Sequence, residues 1–125
     1  MGYSKNIMES FLVFESVTSL AMNSALDGLA LRQRAIANNI ANVNTPGYQA
    51  RRVEFENALA KSVADGGGQV DAQTQNSTAP TRLDGSNVNL DTETLSNIDT
   101  VLRYQFATQS ASGPFNSMRT ALRSN

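Results

Sequence analysis

The sequence predicts a mainly α-helical chain in which two long terminal amphipathic helices form an antiparallel coiled-coil pair, joined by an irregular, loop-rich middle with one short helix. Three observations carry that expectation. Apolar residues recur at alternating spacings of three and four near both ends of the chain, the periodicity of a helical seam. Thr45-Pro46-Gly47 interrupts the first pattern sharply, and residues 65–85 are rich in Gly, Gln, Asn, Ser and Thr. With 125 residues, 40% of them apolar, the chain supports one modest core rather than two.

Residues 1–21 read as an N-terminal extension. Ile7, Phe11, Leu12 and Phe14 make it apolar, but Glu9 and Glu15 interrupt the run, so it is a poor cleavable leader. No cluster of Lys or Arg flanks it as a membrane-surface helix requires, and docking to protein is the better reading. Residues 22–44 form the first long helix, with Met22, Leu26, Leu29, Gln33, Ile36, Ile40 and Val43 as its stripe. Ala25, Ala30, Ala37 and Ala41 add helix propensity beside it, while Arg32, Arg34, Asn38 and Asn42 sit off it.

Residues 45–90 are the connecting middle. Proline disfavours helical geometry in the residue before it and glycine supplies positive φ, so the helix stops at Thr45-Pro46-Gly47. Tyr48 to Val53 reads as extended and Glu54 to Ala64 as a short helix with Phe55, Leu59 and Val63 on one face. From Asp65 to Gly85 the composition predicts a mobile loop. Its Gly66-Gly67-Gly68 lacks the Gly-Lys-Ser/Thr that completes a phosphate-binding loop. The second long helix occupies 91–125, capped by Asp91 or Thr92 with Glu93 adding negative charge to the first turn. Leu95, Ile98 and Leu102 make its first register; Val101, Tyr104, Thr108, Ala111, Phe115, Met118 and Leu122 continue to the end. Gly113-Pro114 predicts a bend or short break near Ser112 to Pro114, with Phe115 and Met118 packing beyond it. Pairing the two helices assigns Leu26, Leu29, Ile36, Ile40 and Val43 to one side of the seam and Leu95, Ile98 and Leu102 to the other. Leftover apolar edges are then available to neighbouring subunits.

Composition narrows function by exclusion. The absence of His and Cys removes the usual neutral-pH general base, thiol nucleophiles, disulfides and Cys-His zinc sites. A formal charge of −1 with scattered Lys and Arg gives nothing to track a nucleic-acid backbone. Asp84, Asp91 and Glu93 are read as turn and helix cap rather than a calcium or acid-base cluster, because Gly85 falls at the wrong position for an EF-hand loop. Arg51 and Arg52, adjacent in an extended segment, point to opposite faces and read as solvated charge. A hydrolase built on Asp84 and Asp91 would need an enclosing pocket that two helices and a loop offer poorly. No cofactor, metal or small-molecule substrate is expected, and no stretch reaches the roughly 20 apolar residues that cross a bilayer.

The most specific string is Ala37-Asn38-Asn39-Ile40-Ala41-Asn42-Val43-Asn44-Thr45-Pro46-Gly47-Tyr48. It resembles the signature of the flagellar rod, hook and hook-associated axial proteins, in which the N-terminal helix ends in an Asn-rich turn followed by Thr-Pro-Gly-Tyr. Asn39, Asn42 and Asn44 can hydrogen-bond the backbone groups freed where the helix stops, while Thr45, Pro46, Gly47 and Tyr48 shape the turn. Asp84-Gly85-Ser86-Asn87-Val88-Asn89-Leu90-Asp91-Thr92-Glu93 and Leu102-Arg103-Tyr104-Gln105 resemble the C-terminal helix of a proximal rod member, and the middle is too short for the β-rich insertions of hook relatives. The proximal rod protein FlgC, of similar length, is the nearest alternative within the family, but its typical Asn-Val, Glu-Met and Arg-Ser-Tyr-Glu-Ala-Asn strings are missing. Outside the family the rival is a free-standing coiled-coil adaptor.

The resemblance implies a non-enzymatic structural subunit that polymerises through its terminal helices and transmits torque. It further implies export through the flagellar type III gate without signal cleavage and residence in the rod within the cell envelope. Expected partners are copies of itself, the rod subunits FlgC and FlgF, the adapter FliE, the ring protein FliF and the export gate.

Overall fold

The computed structural model describes the backbone of residues 2–123 and the side chains of residues 5–111. Helix α1 runs without a break over Gly2–Ala41, followed by strand β1 (Arg51–Val53), helix α2 (Glu56–Ala64), strand β2 (Thr74–Asn76) and helix α3 (Leu90–Arg123). The chain is thus mainly helical, with one small antiparallel ribbon in which Arg51, Arg52 and Val53 face Asn76, Gln75 and Thr74.

α3 packs back along α1. Asn39 near the end of α1 bonds Glu93 at the start of α3, whereas Arg32, two turns earlier, shares Glu56 with Arg103, further along α3. The partner number falls on one helix as it rises on the other, so the two run antiparallel. The core sits where α1, β1 and the start of α2 meet this pair: Leu29, Ala35, Val53, Phe55 and Ala107 form its buried cluster, with Ala25, Leu26, Leu31 and Leu59 packed against it.

The helices meet on faces that match the expected seam only in part, sharing Leu29 and Ile36 on α1. On α1 the inward line is Met22, Ala25, Leu29, Arg32, Ile36 and Asn39, the same three-four period shifted toward Arg32, which the hydrophobic pattern leaves off the stripe. On α3 the inward residues are Glu93, Thr100 and Ala107, with Ser96 half-buried between them. Leu95, Ile98 and Leu102, expected to hold the pair, lie outward at 69%, 53% and 60% exposure, and Phe106 extends their line at 72%. The physical reason is size. Small and short polar side chains allow the two backbones to approach closely; Glu93 finds Asn39 across the gap, and the Thr100 hydroxyl returns to Ser96 O of its own helix.

The segment after α2 is irregular but anchored, unlike the mobile loop that its composition suggests. Gly67 N–H donates to Ser62 O at 2.8 Å and Gly68 N–H to Ser62 Oγ at 2.9 Å, closing the end of α2. Val70 N–H then donates to the buried Ser24 hydroxyl of α1 at 3.0 Å, and β2 follows. A further difference concerns Pro114: α3 is helical through Gly113-Pro114 to Arg123, so of the expected bend or short break the break is absent. A proline deletes one rung of the ladder, but intact turns on either side can carry a helix through it. The packing expected of Phe115 and Met118, and of Leu122, falls outside the described side chains.

Candidate functional site

Two turns far apart in sequence are docked against each other, and they are the two strings singled out above. The first follows α1. Asn42 N–H returns to the Asn38 and Asn39 carbonyls, and Asn42 Nδ2 donates to Asn38 O at 2.8 Å while its Oδ1 accepts from Thr45 Oγ1 at 3.0 Å. Tyr48 N–H closes onto Thr45 O. The second turn spans 82–88, with Gly85 N–H donating to Arg82 O and Arg82 N–H to Ser86 O.

Three bonds join them. Gly47 N–H donates to Asp84 O at 2.8 Å, Asn87 N–H to Tyr48 O at 3.2 Å, and Arg82 Nη2 to Val43 O at 2.8 Å while its Nη1 donates to Val88 O. Both glycines are needed. Gly47 and Gly85 have φ of +74° and +84°, and a Cβ on Gly85 would stand 3.3 Å from Gly47 Cα.

Asn39 and Asn87 complete the junction by acting as pieces of backbone. Asn39, 1% exposed, donates through Nδ2 to Arg51 O at 2.9 Å and accepts Arg51 N–H on Oδ1 at 2.8 Å, so α1 supplies β1 with the pairing that a second neighbouring strand would give. Asn87 Oδ1 accepts Ala50 N–H at 2.6 Å, and its Nδ2 reaches the Ser77 and Ala79 carbonyls. Among the described residues no buried side-chain polar atom lacks a partner.

The second cluster is ionic. Arg32 grips Glu56 in a two-pronged contact, Nη1 to Oε2 at 2.8 Å and Nη2 to Oε1 at 2.6 Å, and donates to Val53 O. Its guanidinium lies 5.1 Å from the Phe55 ring centroid. Arg103 adds a 3.0 Å bond to Glu56 and pairs with Asp99. The Arg32 hydrogen bonds hold the Glu56 carboxyl at about 2, below its ordinary 4.5. Glu93 goes the other way: burial raises it, opposed by the 3.0 Å bond from Asn39 Nδ2 and by the charge of Arg52. Beneath this cluster the Phe55 ring occupies the space beside Gly28, where a Cβ would meet it at 2.6 Å.

Of the residues expected at the signature turn, Asn39 is buried and makes bonds to β1 and α3, Asn42, Thr45, Gly47 and Tyr48 make the turn, and Asn44 and Pro46 are exposed. Of the seam residues, Leu29 and Ile36 are buried, Leu26 packs against the core, Val43 is half-buried and Ile40 is 36% exposed. Arg32, Glu56, Asn87, Ser24 and Thr100 were not legible as organising residues. The mid-helix Gly28, and Arg32 one turn later, carried only the weak signal of a small residue and a charge in an otherwise apolar stretch. Asp84 and Asp91 do not form a catalytic pair: Asp84 accepts Ser86 N–H at 2.9 Å inside its own turn and Asp91 is exposed. No group of three or more acidic residues suited to a metal occurs among the described residues.

Comparison with known proteins supplies an independent line. A family model described as Flagella basal body rod protein matches residues 21–49, from the middle of α1 through the signature turn. The chain is 35% identical over 122 residues to the flagellar basal body rod protein FlgB of Escherichia coli (strain K12), covering 80% of this chain and 88% of that one. Against the protein of the same description from Bacillus subtilis (strain 168) it is 29% identical over 115 residues, covering 81% and 89%. A FlgB of Borrelia hermsii is 45% identical over a shorter stretch of 51 residues, 41% of this chain and 37% of that one.

Proposed function

The chain belongs to the FlgB family of flagellar basal-body rod proteins, and from that membership we propose how its fold serves a structural subunit of the rod. The family is structural rather than enzymatic, and basal-body rod subunits contact one another. In the proposed mechanism the docked turns and the Arg32–Glu56–Arg103 cluster fix the angle at which α1 and α3 leave the core. The helices then present what the single chain leaves uncovered to neighbouring subunits, so that polymerisation buries it.

One observation carries this reading. Leu95, Ile98, Leu102 and Phe106 form a continuous apolar line on the side of α3 turned away from α1, each at least half exposed. A helix that packs with its larger apolar side chains outward and its small ones inward is built to bury them against something else. The coiled-coil pairing expected of the terminal helices is accordingly assigned to contacts between subunits, with Leu95, Ile98 and Leu102 on one side. The signature turn from Asn39 to Tyr48 shapes the subunit, and Leu26, Leu29, Ile36, Ile40 and Val43 set the position of α1.

The finer reading follows from the same premise: export through the flagellar type III gate without signal cleavage, incorporation into the proximal rod in the periplasm, and transmission of torque. Its neighbours there are copies of itself, FlgC, FlgF, the adapter FliE and the ring protein FliF. Among the described residues no helix is long and apolar enough to cross a membrane. Leu102→Asp tests the mechanism, because an exposed side chain can be changed without disturbing the core while a carboxylate at a packed interface lacks a partner. The variant is expected to be secreted at the parent level and to leave cells non-motile, without rods in isolated basal bodies. Normal swimming overturns the proposed use of this face.

A further inference from the structure

A second uncovered surface lies between α1 and β1, and its charge complements that of the first. Leu31, Arg34 and Asn38 on α1 form one wall of an open groove of about 430 Å³, and Tyr48, Arg51 and Thr74 form the other. Arg34 and Arg51 are exposed, and neither has an ion-pair partner among the described residues. Arg52, by contrast, turns to the other face and meets Glu54 at 2.8 Å. The groove therefore carries two free cations, with the half-buried Leu31 and the buried Ala35 as its aliphatic lining.

The outward face of α3 has the opposite sign. Asp91, Leu95, Ile98 and Leu102 follow spacings of four, three and four, so an exposed carboxylate heads the apolar line, and Asp91 has no ion-pair partner among the described residues. From Asp91 to Leu102 is eleven residue steps, about 16 Å of helix, and the α1 wall from Leu31 to Asn38 is seven, about 10 Å. The α3 line points away from α1 and cannot enter the groove of its own chain.

We infer that the groove between α1 and β1 receives the outward face of α3 from a second copy of the chain, with Asp91 of that copy against Arg34 and Arg51. The inference rests on the self-assembly reading above and adds the surface and the charge pairing. Because the two surfaces are different patches on one molecule, the contact is heterologous: each copy offers its α3 to one neighbour and its groove to another. Such contacts build open, polar assemblies rather than closed dimers. The apolar line supplies the buried area, and the charges set register and exclude the reversed orientation.

The test uses the full chain at high concentration, with pelleting and negative-stain microscopy as readouts and far-ultraviolet circular dichroism to confirm that each variant keeps the parent's helicity. Three samples are compared with the parent: Arg34→Glu/Arg51→Glu, Asp91→Arg, and an equimolar mixture of the two variants. Each variant alone places like charges at the contact, and the concentration needed for assembly should rise at least about tenfold. In the mixture every contact between unlike copies again joins opposite charges, so alternating assembly should return toward the parent threshold. Helical variants that assemble like the parent overturn the contact while leaving the self-assembly reading intact. Blocked variants that the mixture fails to rescue show that the groove takes a different chain, which also overturns it. A parent chain that never assembles removes the self-assembly reading and this contact together.

Discussion

Asn39 shows how much structure one side chain can specify when it is buried with its full hydrogen-bonding capacity in use. Its amide satisfies both backbone groups of Arg51 and one oxygen of Glu93. Asn39→Ala removes those partners together, leaving an amide, a carbonyl and a carboxylate in a nearly dry place, each costing about 1–3 kcal/mol if water cannot reach it. The expected loss is about 2–4 kcal/mol, read as a lower urea midpoint with little change in slope. Glu93 is the complementary case. Burial raises its pKa, so the stability tied to its protonated form is complete below the ordinary 4.5 and is lost as pH rises through the raised value. Glu93→Gln keeps an oxygen for Asn39 and removes the buried charge. It is expected to be more stable than the parent at pH 7, with the gain vanishing below about pH 4.5. Glu56, held low by Arg32, has the opposite sign: its contribution is present above 4.5 and is lost as pH falls toward about 2. Equal midpoints for Glu93→Gln and parent at pH 7 would mean that Arg52 and Asn39 fully offset the cost of burying the carboxylate.

At the scale of elements, periodicity and phase were unequally legible. The three-four spacing on α1 and α3 and the stop at Thr45-Pro46-Gly47 can be read from local sequence, because they depend on residues within a few turns. Phase cannot. Arg32 and Asn39 face inward only because Glu56, Val53, Arg51 and Glu93 arrive from elsewhere in the chain, and hydrophobicity alone assigns that side to Leu26, Gln33 and Ile40. On α3 the apolar residues were legible as a stripe but not as an outward one, since a short polar face is recognised as a contact only once the partner backbone is close. Likewise β2, Thr74-Gln75-Asn76, carries no strand signal of its own and exists because β1 lies beside it. The α1–α3 approach is tested at Thr100, which is fully buried with its hydroxyl returned to Ser96 O at 2.7 Å. Thr100→Leu adds apolar character and helix propensity, yet the space is occupied, and overpacking is expected to cost about 1–3 kcal/mol in thermal or urea unfolding. A Leu95→Ser control on the exposed side should stay within about 0.5 kcal/mol of the parent. A stabilised Thr100→Leu would show that apolar character, rather than close approach, limits this interface.

Over the whole molecule the buried residues are unevenly distributed, and this separates folding from assembly. Among the described residues the buried positions begin at Ser24 on α1, and the turn junction, ionic cluster and β-ribbon all lie between there and Ala107. The earlier part of α1 is different. Ile7, Met8, Leu12, Val13 and Phe14 are 48–67% exposed, so this stretch contributes apolar surface without a share in the core. An exposed apolar helix is a liability in a lone chain, and the proposed function assigns this surface to a neighbouring subunit. Removing residues 1–14 should therefore leave folding nearly unchanged, because none of the described side chains from 5 to 14 is buried and no described bond of the junction lies within the deleted stretch. The shortened protein is expected to unfold cooperatively with a midpoint within a few degrees of the parent, a shift of about 1 kcal/mol or less. It should nonetheless fail to restore motility or to enter isolated basal bodies when it replaces the parent in cells. The two measurements discriminate. Loss of cooperative unfolding would mean that the projecting helix supports the fold itself, and full motility would mean that its apolar surface has no role in the rod.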